Sequence, residues 1–187
     1  SKGGLKGHSF GNLLITALTE ITGSFEKAVQ KAGKILSIKG KILPCTLDNV
    51  ALCALLENGK RMQGQVEVKK SKIYYKTKIK NLYMEPKAKV YKPALKTIKE
   101  ADLIILGPGS LYTSVLANLI VPGISQAINN SKAKKIYIVN TMEEHGETDN
   151  FAASHHVQEI EKYLGNKVDY VIVNTAKAVR KLLQQYG

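Results

Sequence analysis

Tryptophan is absent, cysteine occurs twice, and only Arg61 and Arg180 are arginines among 28 basic residues. Each shortage removes a class of protein. Cys45 and Cys53 are too few and too loosely spaced for a disulfide framework or a zinc knuckle, so two reduced, packed thiols are expected. No apolar run approaches the ~20 residues of a membrane-spanning helix, and no signal-peptide pattern opens the chain. A soluble, cytoplasmic protein is the expectation. No His-Glu-x-x-His element occurs, and His155 and His156 are neighbours whose side chains leave a helix on different faces. No metal site is expected. The net charge of +13 is therefore carried almost wholly by lysine. Eleven lysines lie between Lys69 and Lys99, interleaved with Tyr74, Tyr75, Tyr83 and Tyr91. Bidentate phosphate and base contacts favour arginine, and no RNA or DNA motif accompanies these lysines, so a solvated basic face is expected rather than a nucleic-acid site. Weak, lysine-driven polyanion binding is the remaining alternative.

With 44% hydrophobic residues, a chain of this length buries ~70% of its unfolded surface and forms one substantial core. Leu13–Ile21 reads as a buried helical segment, and Phe25, Ala28, Val29 and Ala32 recur at helical spacing until Gly33. Residues 34–85 change to short strands. Val50–Leu56 and Met62–Val68 flank Glu57-Asn58-Gly59-Lys60, and Asn-Gly is a strong hairpin signal. A strand over Lys78–Met84 and a helix over Ala94–Ala101 follow, the helix led in by Pro93. From Ala101 onward, strands at Leu103–Leu106, Lys135–Thr141 and Asp169–Thr175 alternate with helices at Leu111–Ile120, Phe151–Leu164 and Ala176–Tyr186. Such alternation predicts a Rossmann-like parallel sheet with right-handed crossovers, flanking helices and an inserted antiparallel β-hairpin region.

The unbroken apolar run Leu103–Leu106 predicts a strand covered on both faces. Beyond it, Gly107-Pro108-Gly109-Ser110 must turn sharply. Gly107 and Gly109 permit backbone angles closed to other residues, and Ser110 or Thr113 can cap the following helix. Backbone N–H groups aimed outward from such a turn suit phosphate or carboxylate. The other two strands end alike in Asn140-Thr141 and Asn174-Thr175, placing three polar strand ends on the carboxyl edge where open α/β folds bind ligands. Each asparagine can donate and accept, as a base or sugar edge requires, although Asn and Thr also simply start turns. Between the second strand and its helix, Met142–Asn150 gathers three carboxylates and an imidazole around Glu147. Its expected use is a loop whose Glu147 and Thr148 contact ligand hydroxyls or cap the Phe151 helix. Gly7-His8-Ser9-Phe10-Gly11 fits the Gly-x-Ser-x-Gly pattern of α/β hydrolases, but that elbow needs a buried strand immediately before it, and only polar, glycine-rich residues precede Gly7.

Together, Gly7–Leu13, Ala101–Ser114 and Gly146-Glu147-Thr148-Asp149 resemble the YvcK/CofD-like family, most closely its gluconeogenesis-factor branch. That resemblance implies a cytoplasmic regulatory protein that binds a UDP-sugar such as UDP-N-acetylglucosamine and is linked to carbon metabolism, cell-envelope synthesis and cell shape. It implies no certain cofactor and no demonstrated catalysis, and it leaves a homo-oligomer open. The sister branch, 2-phospho-L-lactate transferase of deazaflavin coenzyme synthesis, is the enzymatic alternative. Carried onto this sequence, the motifs imply that Gly107, Pro108, Gly109 and Ser110, with Leu111, Tyr112 and Thr113, hold a diphosphate. His8, Ser9 and Asn12 approach it from the first helix. Asn140, Glu147, Phe151 and Asn174 frame uracil and sugar, supported by Gly146 and Thr148. Relative to the family, one CofD-like domain over 1–187 is a partial copy of the fold, lacking the glycine-rich phosphate loop and acidic segment that stand upstream. Glu143-Glu144-His145 replaces a usual Thr-Gln-Pro, His155 a usual Asp, and Phe151 an aromatic that is often Tyr. If that hydroxyl bonds the ligand, Phe151 keeps stacking and loses about 0.5 to 1.5 kcal/mol.

Overall fold

The computed structural model describes residues 9–70 and 76–176. His8, Tyr74, Tyr75 and the helix expected over Ala176–Tyr186 therefore lie outside the described residues or at their limit. Helices α1 (Phe10–Thr22) and α2 (Phe25–Ile35) form an antiparallel pair around Leu18, Ala28 and Ala32. Each is capped by a serine: Ser9 Oγ accepts from Asn12 N, and Ser24 Oγ accepts from Lys27 N. Gly33 does not stop α2. It is absorbed within the helix, whose end comes at Ile35, because a single glycine costs only ~1 kcal/mol against alanine.

Strands β1 (Ala51–Leu56), β2 (Arg61–Gln63) and β3 (Ile79–Glu85) make an antiparallel sheet in the order β2-β1-β3. The hairpin expected at Asn58-Gly59 is present, with Gly59 at φ 82°. Its second strand is shorter than expected. Gly64, at φ 100°, breaks it, and Gln65–Lys69 turns into a short helix, α3, that drives Val68 fully into the core. Helix α4 (Lys92–Glu100), with Pro93 in its first turn, leads to β4 (Leu103–Leu106). A π-helical segment, Leu111–Leu116, then runs into α5 (Ala117–Leu119), and α6 (Ile124–Asn130), β5 (Lys134–Ile138), α7 (Ala153–Leu164) and β6 (Tyr170–Ile172) complete the described order.

Strands β4, β5 and β6 form a parallel sheet in sequence order. One core joins both sheets, with Leu56 and Leu82 from the antiparallel side meeting Leu106, Tyr137, Leu116 and Ile160 from the parallel side. Among the described residues, coverage of β4 on both faces is not found. Ile104 and Leu106 are buried, whereas Leu103 and Ile105 alternate outward. Register places Ile105 beside Ile136, and Ile136 beside Tyr170. The helices of both crossovers pack together on the opposite face, with α7 touching both α6 and the π-helical segment. Among the described residues no single helix is long and apolar enough to cross a membrane. The apolar pair Leu111–Leu119 and Ile124–Asn130 bends by 70°, and its side chains fill the core.

The antiparallel sheet is tied to α7 through Tyr163, whose hydroxyl accepts from Leu82 N at 2.9 Å. Tyr163→Phe strands that N–H, and a half-buried donor without a partner costs about 1 to 2 kcal/mol. A urea titration should show this as a lower midpoint at unchanged m, and an unshifted midpoint would mean that water replaces the phenol.

Candidate functional site

The turn after β4 is shaped by two different glycine roles. Gly107 adopts φ 76°, and a Cβ there would stand 3.0 Å from the Ile138 carbonyl oxygen. Left-handed backbone and close approach both demand glycine. The Gly107–Pro108 peptide is cis. Gly109 is not at positive φ, so the expected need for open backbone angles holds at Gly107 alone. Gly109 instead pairs with Asn140: its N–H donates to Asn140 Oδ1 at 3.1 Å, and Asn140 Nδ2 donates to its carbonyl at 2.9 Å. One amide side chain thus ties the ends of β4 and β5 together.

Neither expected cap closes the following helix. Ser110 Oγ donates to Glu144 Oε1 at 2.7 Å, and Thr113 Oγ1 is buried without a partner. The cap comes from a distant loop. Glu147 Oε1 accepts from Tyr112 N at 2.7 Å and from Thr113 N at 3.1 Å. An internal carboxylate therefore occupies two of the backbone donors that an external anion was expected to use. Glu147 is 4% exposed. Burial is the main reason that its pKa is pushed up to about 7; the two backbone N–H groups oppose the shift, and the neighbouring Glu144 charge adds to it. Burial also works against a charge on Glu144, but hydrogen bonds from Ser110 and from Lys69, with the Lys69 charge, outweigh it and hold the pKa below the usual carboxylate range. Lys69 Nζ lies 3.0 Å from Glu144 Oε1, bringing α3 to the site.

The loop over 142–150 is fastened from within. Thr148, fully buried, accepts from Glu144 N at 2.9 Å. Gly146 N donates to Asp149 Oδ2 at 2.9 Å, while Asp149 Oδ1 meets His145 Nδ1 at 2.8 Å. Glu147 and Thr148 do not cap the next helix, because both are drawn inward by the π-helical N–H groups and by Glu144. That helix begins at Ala153, where Ala152 N donates to His155 Nδ1 at 3.0 Å.

A cavity of about 600 Å³ opens between α7 and the antiparallel sheet, walled by Tyr112, Glu147, Phe151, His155, Lys80 and Lys162 among others. The Phe151 ring meets the rings of His155 and His156 edge-on, each at 5.5 Å. His156 is buried, which with the adjacent His155 presses its pKa down, and its Nδ1 lies 3.3 Å from the Tyr137 hydroxyl. Of the expected site residues, hydrogen bonds join Gly109 to Asn140 and Tyr112 and Thr113 to Glu147, Ser110 and Thr148 meet through Glu144, Gly146 bonds Asp149, Gly107 and Pro108 shape the turn, and Phe151 stands on the cavity wall. Leu111 is fully buried and supports rather than contacts. Ser9 and Asn12 bond each other in α1, and among the described residues no hydrogen bond joins them to the turn. Asn174 Oδ1 accepts from Ala176 N at 3.0 Å within its own turn. Lys69 and Glu144 went unforeseen as partners, because a pair 75 residues apart leaves no local signal. Among the described residues no cluster of three or more His, Cys, Asp or Glu could hold a metal ion.

A parallel sheet with helical crossovers and a Gly-Pro turn at its carboxyl edge places the molecule in the α/β class. The chain belongs to the CofD family: the family model described as 2-phospho-L-lactate transferase CofD matches residues 1–187. The gluconeogenesis factor of Bacillus subtilis is 39% identical over 184 residues, covering 97% of this chain and 57% of that protein. That of Halalkalibacterium halodurans is 43% identical over 173 residues, covering 91% and 52%. A crystal structure of a UPF0052-family protein from Bacillus halodurans superposes with a TM-score of 0.88 at 40% identity, covering 99% of this chain and 59% of that one. The chain thus spans about half the length of the relatives it matches.

Proposed function

We propose that this chain carries nucleotide-sugar binding of the gluconeogenesis-factor type, with UDP-N-acetylglucosamine as the representative ligand and regulation rather than catalysis as its output. The observation that supports this most is the Gly107–Ser110 turn, locked to Asn140 at the carboxyl edge; Tyr112, two residues beyond it, and Glu147, bonded to Tyr112 N, help to wall a cavity whose size lies within the range of small-molecule sites. The shared designation of the relatives agrees with it. In this reading the turn faces the diphosphate, and the Phe151 ring offers its surface to the base. Asn140 and Asn174 mark the strand ends along which the ligand lies, and the Gly7–Leu13 motif, with His8, Ser9 and Asn12, is assigned to the same ligand on the family resemblance.

Gly109→Asp tests the turn. A Cβ at Gly109 meets only ordinary contacts, 3.5 Å to Ser114 Cβ and 3.6 Å to Val115 Cγ2, so the fold should survive. The added carboxylate should repel a diphosphate and weaken UDP-N-acetylglucosamine binding by at least about tenfold, which corresponds to 1.4 kcal/mol. Titration calorimetry of both proteins checks this, with a melting curve as control. Undiminished affinity in a folded variant removes the turn from the site.

The family match favours one second reading, phospholactate transfer of the CofD kind. It requires metal-dependent turnover of a nucleotide-activated phospholactate, and the expected result for this chain is none.

A further inference from the structure

We propose that Glu144 and Glu147 share one proton across their facing carboxyl groups, and that an anionic ligand docking at the Gly107–Ser110 turn makes the pair take up a proton. The second half rests on the diphosphate reading above; the first does not. Each carboxyl has committed one oxygen to donors. Glu147 Oε1 takes the Tyr112 and Thr113 N–H groups, and Glu144 Oε1 takes Ser110 Oγ and Lys69 Nζ. The remaining oxygens, Glu147 Oε2 and Glu144 Oε2, are both buried without a donor, while the two side chains lie within hydrogen-bonding reach of each other. Two neighbouring carboxylates away from water, both acceptors when ionised, can bond each other only through a proton.

The surrounding charges decide which carboxyl keeps it. Lys69 from α3 stands on Glu144 and favours its ionised form, leaving Glu147 as the proton's home. From the helix after the turn, Tyr112 presents a phenol held neutral by burial and by Glu159. From α7, His155 and His156 approach, the latter pressed toward its neutral form. On the pair's own loop Glu143 adds negative charge, while His145 and Asp149 bond each other. Among the described residues Lys69 is the cation bonded to the pair, so two full negative charges there are disfavoured. A diphosphate at Ser110 adds more negative charge a few residues away. It should bind more tightly to the protonated pair, and linkage requires that binding then draws a proton from solvent.

Infrared difference spectroscopy of ¹³C-glutamate-labelled protein reads the pair without any ligand. One protonated carboxyl band should persist to neutral pH, titrate near 7, and vanish in both Glu147→Gln and Glu144→Gln. Gln at 147 keeps an oxygen for the two N–H groups and gives Glu144 a donor, so that variant should fold. Protonated-glutamate bands that are all lost by about pH 5.5 as the pH is raised would overturn the pair. Saturating inorganic pyrophosphate should move the band's midpoint to higher pH, and an unmoved midpoint overturns the coupling. Calorimetry with UDP-N-acetylglucosamine in two buffers of different ionisation heat should show proton uptake at pH 7, with affinity falling by up to about tenfold per pH unit above it. Glu147→Gln should bind without uptake. Absence of any UDP-sugar heat alongside a band shifted by pyrophosphate overturns the nucleotide-sugar reading while leaving the pair and its coupling standing.

Discussion

Gly107→Ala is expected to destabilise the protein by about 2 to 4 kcal/mol, while Gly165→Ala costs about 1. Both glycines have nearly the same left-handed backbone, φ 76° and φ 75°. A Cβ forced into that region costs about 1 to 2 kcal/mol, partly offset by the stiffer unfolded chain. At Gly165, which closes α7, nothing stands within 4 Å of the added atom. At Gly107 it meets the Ile138 carbonyl oxygen at 3.0 Å, and that carbonyl is held in the sheet beside Val139, whose N–H donates to Ile172 O. A backbone group fixed on both sides cannot yield cheaply. Urea midpoints of the two variants at constant m isolate the clash, since conformational strain is common to both. Equal losses would show that β5 gives way and that the turn's approach to the sheet is loose.

A comparable contrast is expected within β4. Leu106→Ala should lose about 2 to 4 kcal/mol, as buried leucines do when a cavity remains. Ile105→Ala, one residue earlier, should lose less than about 1. Leu106 is 8% exposed and Ile105 54%, although both belong to one uninterrupted apolar run. Denaturant unfolding of the two variants decides whether the outer sheet face is free. An Ile105 loss as large as that of Leu106 would show the face to be covered in solution.

Much of the architecture was legible because its signals are local. Apolar runs of four or five residues alternating with helical periodicity specify parallel strands and crossovers, and all three strands begin within one residue of where that pattern puts them, although β5 and β6 end three residues short, at Ile138 and Ile172, leaving Asn140 and Asn174 beyond the strand ends. Asn58-Gly59 marks its hairpin through the φ 82° that Gly59 supplies. Where local rules failed, a tertiary demand prevailed. Met62–Val68 reads as a strand by composition, yet Gly64 and the burial of Val68 turn its second half into helix. Ser110 reads as a cap, yet a carboxylate competes for its hydroxyl, and hydrogen bonds to charged groups are the stronger kind.

By itself the sequence determined the class of fold, the place of the turn at the carboxyl edge and the family to which the chain belongs, because each of these is written in contiguous residues. Tertiary structure alone decided which sheet face is covered, since that depends on both crossovers passing on one side. It also decided that Glu147 fills the backbone donors beside the turn, with Glu144 and Lys69 behind it. Charge interactions act through space in a dry interior, and residues from 69, 110, 144 and 147 acquire their chemistry only once the fold has brought them within about 3 Å of their hydrogen-bond partners.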